Sequence, residues 1–98
     1  MQKQYALRLS EQDTVATVLE DVPAFEMVTV ADGAGAAMQE LRASTAIPQG
    51  HKIALTEIQP GVHVIKYGAS IGVATAEIPL GAHVHIHNLA STRGRGDL

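Results

Sequence analysis

One short pattern occurs three times in the sequence and gives the strongest indication of the fold: IPQGHKI at residues 47–53, IQPGVHV at residues 58–64 and IPLGAHV at residues 78–84. In each copy an isoleucine is followed by a proline, a glycine and a new apolar run. The isoleucine is expected to enter the core, the proline fixes φ, and the glycine supplies the backbone freedom of a tight turn. The few, unevenly spaced copies argue against a solenoid. The pattern therefore predicts a compact, mainly β domain of many short strands and turns.

The remaining segments are read as further strands with one short helix. Residues 5–9 alternate between apolar and other side chains, which predicts a first strand. Asp13 is a suitable N-cap, so a short helix is expected through residues 15–19. Asp32 and Gly33 are typical of a hairpin turn. Other strands are expected over residues 25–30, 71–75 and 83–88, while residues 36–46 are assigned to strand or irregular structure although their composition also favours a helix.

Length and composition limit the class of protein. The 98 residues fit a single domain, expected over residues 1–90, followed by a flexible Arg- and Gly-containing tail over residues 91–98. The hydrophobic content of 46% with only 3% aromatic residues predicts an aliphatic core. A net charge of −3 argues against nucleic-acid binding, and the lack of cysteine excludes disulfides and thiolate sites. No apolar run approaches the roughly 20 residues of a membrane helix, so no membrane association and a cytoplasmic location are expected.

The clearest chemical feature is the run HVHIHN at residues 83–88. On a straight strand His83, His85 and His87 share one face, and Val84 and Ile86 face the core. Neighbouring histidines then lie roughly 6.6 Å apart, which lets two of them bind one metal ion, whereas the outer pair is roughly 13 Å apart. The run therefore predicts a metal site with two ligands from this strand, either His83 and His85 or His85 and His87. More than two could bind one ion only if the strand bends.

The other ligands of such an ion must come from elsewhere. The candidates are His51, His63, another chain or a substrate. Histidines on an exposed strand also occur without any function, and this alternative stays open for each residue taken singly. Three on one face favour a role in binding a metal, an anion or a substrate.

Four basic side chains are candidates for binding a carboxylate. Lys52 follows the first repeated turn, and Lys66 ends another predicted strand. Arg93 and Arg95 are spaced by glycines, and the planar guanidinium bonds carboxylates in a bidentate manner. Solvated surface lysines and a frayed polar tail are the alternatives. Phosphate-loop, dinucleotide-loop and HExxH motifs are absent, so the sequence does not contain a self-sufficient active site that we recognise.

Residues 47–88 closely resemble the SAF domain of the altronate/galactarate dehydratase family, and residues 93–97 are similar to the tail of stand-alone small subunits in that family. The first part of the chain resembles it only in layout. The matching residues are Ile47-Pro48, Gly50-His51-Lys52, Ala54-Leu55, Ile58, Gly61, Val64, Lys66-Tyr67-Gly68, Ile71-Gly72, Ala74, Ile78, Gly81, His83-Val84-His85 and His87-Asn88.

The resemblance implies a β-clip fold and a place beside a much larger catalytic domain or subunit. Family members dehydrate sugar acids such as altronate or galactarate. A related branch, sulfolactate sulfo-lyase, eliminates sulfite and consists of a small and a large subunit. In both reactions a proton next to a carboxylate is removed and a β-leaving group departs. The resemblance also implies a divalent metal, iron or manganese, as the Lewis acid.

The leading hypothesis is the small subunit of a sugar-acid dehydratase, a hydro-lyase that is inactive without its large partner. The alternatives are a sulfolactate sulfo-lyase small subunit, a scaffold without catalytic residues, and a free-standing metal- or sugar-binding domain. Self-association into a homo-oligomer stays open. In the leading hypothesis the catalytic and metal-binding residues are His83, His85 and His87, and the substrate-binding residues are His51, Lys52, Lys66, Arg93 and Arg95.

Overall fold

The structure, a computed structural model, describes residues 4–91, and within that range it contains nine strands and no helix. The mainly β fold is thus confirmed. No helix long and apolar enough to cross a membrane occurs in the described part of the chain. The strands are β1 (Gln4–Leu7), β2 (Val15–Val18), β3 (Met27–Ala31), β4 (Ala37–Arg42), β5 (Lys52–Ala54), β6 (His63–Lys66), β7 (Ala69–Ala74), β8 (His83–Val84) and β9 (Leu89–Ser91).

The strands form two sheets. One has six strands in the order β4-β3-β1-β2-β5-β8, and the other has three in the order β6-β7-β9. Only β1 and β3 pair in parallel; every other pairing between these strands is antiparallel. Strands β5 and β8 end the larger sheet on the side that carries the histidines.

Each of the three repeated segments forms the same turn. Its glycine has a left-handed backbone, with φ of +83° at Gly50, +85° at Gly61 and +84° at Gly81. The next residue closes the turn by donating its N–H to a carbonyl three residues earlier, as His51 does to Pro48 at 3.0 Å. Only glycine adopts such a backbone without a steric cost, which explains its place in every copy of the pattern.

A fourth copy of the turn lies at residues 22–25, where the sequence does not display the pattern. Glu26 donates its N–H to the carbonyl of Pro23 at 3.3 Å, and Phe25 takes the position of the glycine with φ of +73°. The left-handed conformation is unfavourable for a residue with a Cβ atom. Because a phenylalanine stands where the other copies have glycine, inspection of the sequence missed this turn.

The first residues of the four turns pair with one another. Val22 and Ile47 exchange two backbone hydrogen bonds of 2.8 Å, and Ile58 and Ile78 do the same. Each pair lies in its own core cluster. The first cluster contains Ala6, Ala16, Val18, Val22, Val28, Val30, Leu41, Ala43, Ile47, Ile53 and Leu55, and the second contains Val15, Ala54, Ile58, Val64, Ala74, Ile78, Ala82 and Val84.

The helix predicted for residues 15–19 is wrong, because this segment is strand β2. It lies between β1 and β5, and Val15 packs in one core cluster while Val18 packs in the other. A strand buried on both faces is apolar at successive positions, so its period is hard to tell from that of a helix. Asp13 caps a turn instead, since its carboxylate accepts hydrogen bonds from the N–H groups of Ser10 and Gly68.

The other predicted strands are present with shifted ends, and residues 36–46 contain β4, as preferred over a helix. The turn between β3 and β4 is closed by Asp32, whose Oδ1 accepts the N–H groups of Ala34 at 2.8 Å and Ala36 at 2.9 Å. Of the predicted tail, Ser91 ends β9. Residues 92–98, including Arg93 and Arg95, lie outside the described residues.

Two of the turn glycines differ in what surrounds them, which gives a matched test of the turn. A Cβ atom on Gly81 would lie 2.2 Å from the carbonyl oxygen of Arg42, whereas one on Gly50 would meet no atom within 4 Å. Gly50→Ala should lower the free energy of unfolding by about 1–2 kcal/mol, the cost of a left-handed alanine. Gly81→Ala should cost clearly more in urea denaturation, because the backbone of β4 must also move. Equal losses would contradict this account of the turn.

Candidate functional site

Four histidine rings cluster beside the end of the six-stranded sheet. His51 directly precedes β5, His83 begins β8, and His85 and His87 follow β8. The centroid distances are 4.0 Å for His51–His85, 5.0 Å for His51–His83, 5.0 Å for His83–His87 and 5.6 Å for His83–His85. The antiparallel pairing of Ile53 with His83 carries His51 to the same edge.

The predicted strand over residues 83–88 is wrong beyond Val84, because the chain turns there. The side chain of Asn88 accepts the N–H of His85 and donates to the carbonyl of His83, both at 2.9 Å. It thus replaces the hydrogen bonds of a sheet with those of a turn, as asparagine commonly does. Val84 is buried as predicted, but Ile86 is 84% exposed, contrary to the expected alternation.

The turn brings together more imidazoles than a straight strand allows. One nitrogen each of His51, His83 and His85 lies within 4.8 Å of the others. The Nδ1 of His51 is 2.8 Å from the Nε2 of His83, so one ring donates a hydrogen bond to the other. Two ligands of a tetrahedral ion are about 3.4 Å apart when each nitrogen is 2.0–2.1 Å from the metal. A small outward rotation of either ring would therefore admit an ion.

Burial and neighbouring basic groups favour the neutral form of two of these rings, His83 and His85. Burial, followed by repulsion from His87, His51, His85 and Lys52, lowers the pKa of His83 to about 4. Burial and the nearby His51, Lys52 and His87 also lower the pKa of His85. Neutral imidazole is the form that binds metal ions. The Nδ1 atom of His85 is buried and has no hydrogen-bond partner within the described residues.

Of the other binding residues predicted from the sequence, two lysines lie next to the histidine cluster and His63 does not. Lys52 and Lys66 line one groove of about 280 Å³ together with His85, next to the histidine cluster. Burial, and then the charge of Lys66, lowers the pKa of Lys52. His63 is not part of the cluster; it is exposed on β6, and its Nδ1 lies 2.7 Å from the Oγ of Ser70.

Short strands joined by four proline-containing turns, with a histidine cluster at one edge, define a β-clip domain with an imidazole site. Residues 4–92 match the family model described as the altronate/galactarate dehydratase SAF domain. The chain belongs to this family. The match covers nearly the whole chain, including the first part, which the sequence resembled only in layout.

Known relatives fall into two kinds that differ in size. The altronate dehydratase of Escherichia coli K12 is 39% identical over 82 residues, which are 84% of this chain but 15% of that protein. The (2R)-sulfolactate sulfo-lyase subunit alpha of Chromohalobacter salexigens is 38% identical over 78 residues, or 78% of this chain and 81% of that subunit. The same subunit of Paracoccus pantotrophus is 43% identical over 53 residues. The chain thus spans only a small part of the altronate dehydratases.

The low pKa of His83 predicts that acid destabilises the metal-free domain. An unfolded histidine has a pKa of about 6.5, and that of folded His83 is about 4. Between these values the unfolded chain binds a proton that the folded chain does not, so the free energy of unfolding falls as the pH is lowered from 6.5 towards 4. Urea denaturation in EDTA should reveal a weaker fall for His83→Gln than for the wild type or the control His63→Gln. Identical pH profiles for all three proteins would refute the assignment.

The turn that assembles the cluster depends on Asn88. Asn88→Ala leaves the N–H of His85 and the carbonyl of His83 without their partner, so the free energy of unfolding should fall by about 1–3 kcal/mol. The NMR signals of the His85 and His87 rings should also shift. Asn88→Asp keeps the acceptor for His85 and loses the donor to His83, so it should be intermediate. Unchanged ring signals in Asn88→Ala would mean that another contact holds the turn.

Proposed function

We propose that this domain supplies the imidazole part of a composite lyase active site, completed by a large catalytic subunit, that dehydrates a sugar acid. The observation that carries the proposal is the convergence of nitrogens from His51, His83 and His85 at the domain edge. The names of its relatives, altronate dehydratase and a sulfo-lyase subunit, support both the reaction class and the need for a partner.

The donor set fits a divalent first-row metal, for which we propose iron or manganese. Imidazole suits several such ions. The buried Nδ1 of His85, which has no hydrogen-bond partner among the described residues, is a candidate ligand atom. The sequence analysis predicts His83, His85 and His87 as ligands, whereas the group of converging ligand atoms in the structure contains His51 in place of His87. When bound, the ion would act as a Lewis acid that stabilises negative charge developing on the substrate.

The residues of this chain would then divide the work between binding and proton transfer. One nitrogen each of His51, His83 and His85 lies within 4.8 Å of the others, and the lowered pKa of His83 and His85 favours the neutral form that can coordinate an ion. His87 is exposed beside His83 and is suited to carry a proton to or from the substrate. Three protein ligands leave coordination positions open for a substrate.

The cluster requires a further protein surface for a complete site. No aspartate or glutamate of the described residues belongs to the group of converging ligand atoms. Elimination needs one group to remove the proton next to the carboxylate and another to protonate the leaving hydroxyl. His87 can serve for one of these steps, and we assign the other to the partner subunit.

A sulfolactate sulfo-lyase is the second candidate function. The observation in its favour is the similarity of the chain to two subunits of that name, with 38% identity over 78 residues and 43% identity over 53 residues. The same imidazole site would serve here, because this elimination also begins with loss of a proton next to a carboxylate. Only the leaving group differs, with sulfite in place of hydroxide.

Co-expression with a candidate large subunit tests the proposal. The complex should dehydrate altronate or galactarate, and His85→Ala should lower kcat/KM by at least about 100-fold together with the metal content, since loss of a ligand costs no less than loss of its supporting contacts. His63→Ala, outside the cluster, is the matched control.

The outcomes separate the hypotheses. Sulfite release from sulfolactate in place of dehydration would select the second function. Full activity and full metal content in His85→Ala would show that this histidine is not required and would favour the alternative in which the domain is a scaffold without catalytic residues. Failure to associate with any large subunit would overturn the composite site.

A further inference from the structure

A groove beside the histidine cluster has the composition of an anion site. Its polar lining comes from Lys52, Lys66, His85 and Ser91, and its apolar lining comes from Ile71, Ile86 and Leu89. Ile71 and Leu89 are partly buried against the second core cluster. Part of the apolar lining of the groove is thus anchored in the core, and both lysines line the same groove.

Within residues 4–91, no acidic side chain balances the charges of this groove. Neither Lys52 nor Lys66 forms an ion pair with a carboxylate among residues 4–91, and no acidic side chain lines the groove. The chain contains 10 aspartate and glutamate residues and has a net charge of −3, so acidic partners are plentiful in the sequence. Two half-buried lysines that face the same space without a counter-ion repel each other, and a bound anion would remove that cost.

The remaining contact of Lys66 leaves its charge available. Its Nζ lies 4.7 Å from the centre of the Tyr67 ring, a cation–π contact that orients the side chain without neutralising it. A lysine ammonium behaves as a point charge, whereas the arginine fork selects planar acids. The groove should therefore recognise an oxyanion by its charge and accept both carboxylate and sulfonate groups.

The groove and the cluster share one residue, which sets where an anion would lie. His85 lines the groove, and its ring centroid is 4.0 Å from that of His51. An acid group held between the lysines is thus next to the point on which the imidazole nitrogens converge. Resting on the proposed lyase function, we infer that the Lys52–Lys66 groove is the subsite that holds the carboxylate or sulfonate of a hydroxy acid while its neighbouring carbon faces the histidines.

An NMR titration of the full chain tests this subsite without a partner or a metal. In EDTA, at constant ionic strength maintained with sodium chloride, acetate and methanesulfonate are added as the smallest carboxylate and sulfonate probes. The backbone signals of Lys66, Ile71, His85 and Leu89 should shift in a saturable manner. Lys66→Gln should weaken binding at least 5-fold, and Lys66→Arg, which keeps the charge, should retain most of it.

Arg42→Gln is the control, because it removes one positive charge from an exposed residue that does not line the groove. It should leave the binding of both probes unchanged. Shifts that do not saturate, or equal weakening by Lys66→Gln and Arg42→Gln, would overturn the subsite. Since the titration requires neither metal nor large subunit, its result is independent of whether the complex proves to be a lyase.

Discussion

Two pairs of backbone hydrogen bonds, between Val22 and Ile47 and between Ile58 and Ile78, hold the turns of this domain against one another. A domain formed by these 98 residues, with almost no aromatic side chains, can bury only a small apolar area in its core. Each bridge buries two aliphatic residues and satisfies their backbone groups at once, so turns that would otherwise be surface loops become part of the core. Strand β2 then packs between the two clusters and joins them into one unit.

The histidine site is a consequence of this framework. The bridge at Ile47 leads through the turn at Gly50 into His51 and β5, and the bridge at Ile78 leads through the turn at Gly81 into β8. The antiparallel pairing of β5 with β8 therefore delivers histidines from two distant parts of the chain to one edge. Burial, followed by repulsion from neighbouring histidines and Lys52, lowers the pKa of His83 and His85 and so favours the neutral form that coordinates metal ions.

One end of an acidic protein thus carries a concentration of potential positive charge. His51, His83, His85 and His87 lie there with Lys52 and Lys66, and in the part of the chain that the structure describes no carboxylate joins the converging nitrogens or the lining of the groove. In the proposed function, the complementary negative charge comes from an acidic substrate and a partner protein. This division agrees with relatives in which the domain is a small part of a dehydratase or a separate subunit of a sulfo-lyase.

The turns of the repeated pattern, the hairpin at Asp32 and the mainly β fold could be predicted from the sequence, because the turn preferences of proline, glycine and aspartate act over a few residues. From the ordered motifs of residues 47–88, the sequence also indicated the family. It did not reveal that residues 15–18 form a strand, since burial on both faces conceals the period, or that Phe25 occupies a glycine position. It identified the histidine run as a candidate site, but on a straight strand only two of these histidines can bind the same metal ion. The tertiary structure decided the cluster, because Asn88 bends the run and the pairing of β5 with β8 adds His51, two contacts that local sequence patterns do not specify.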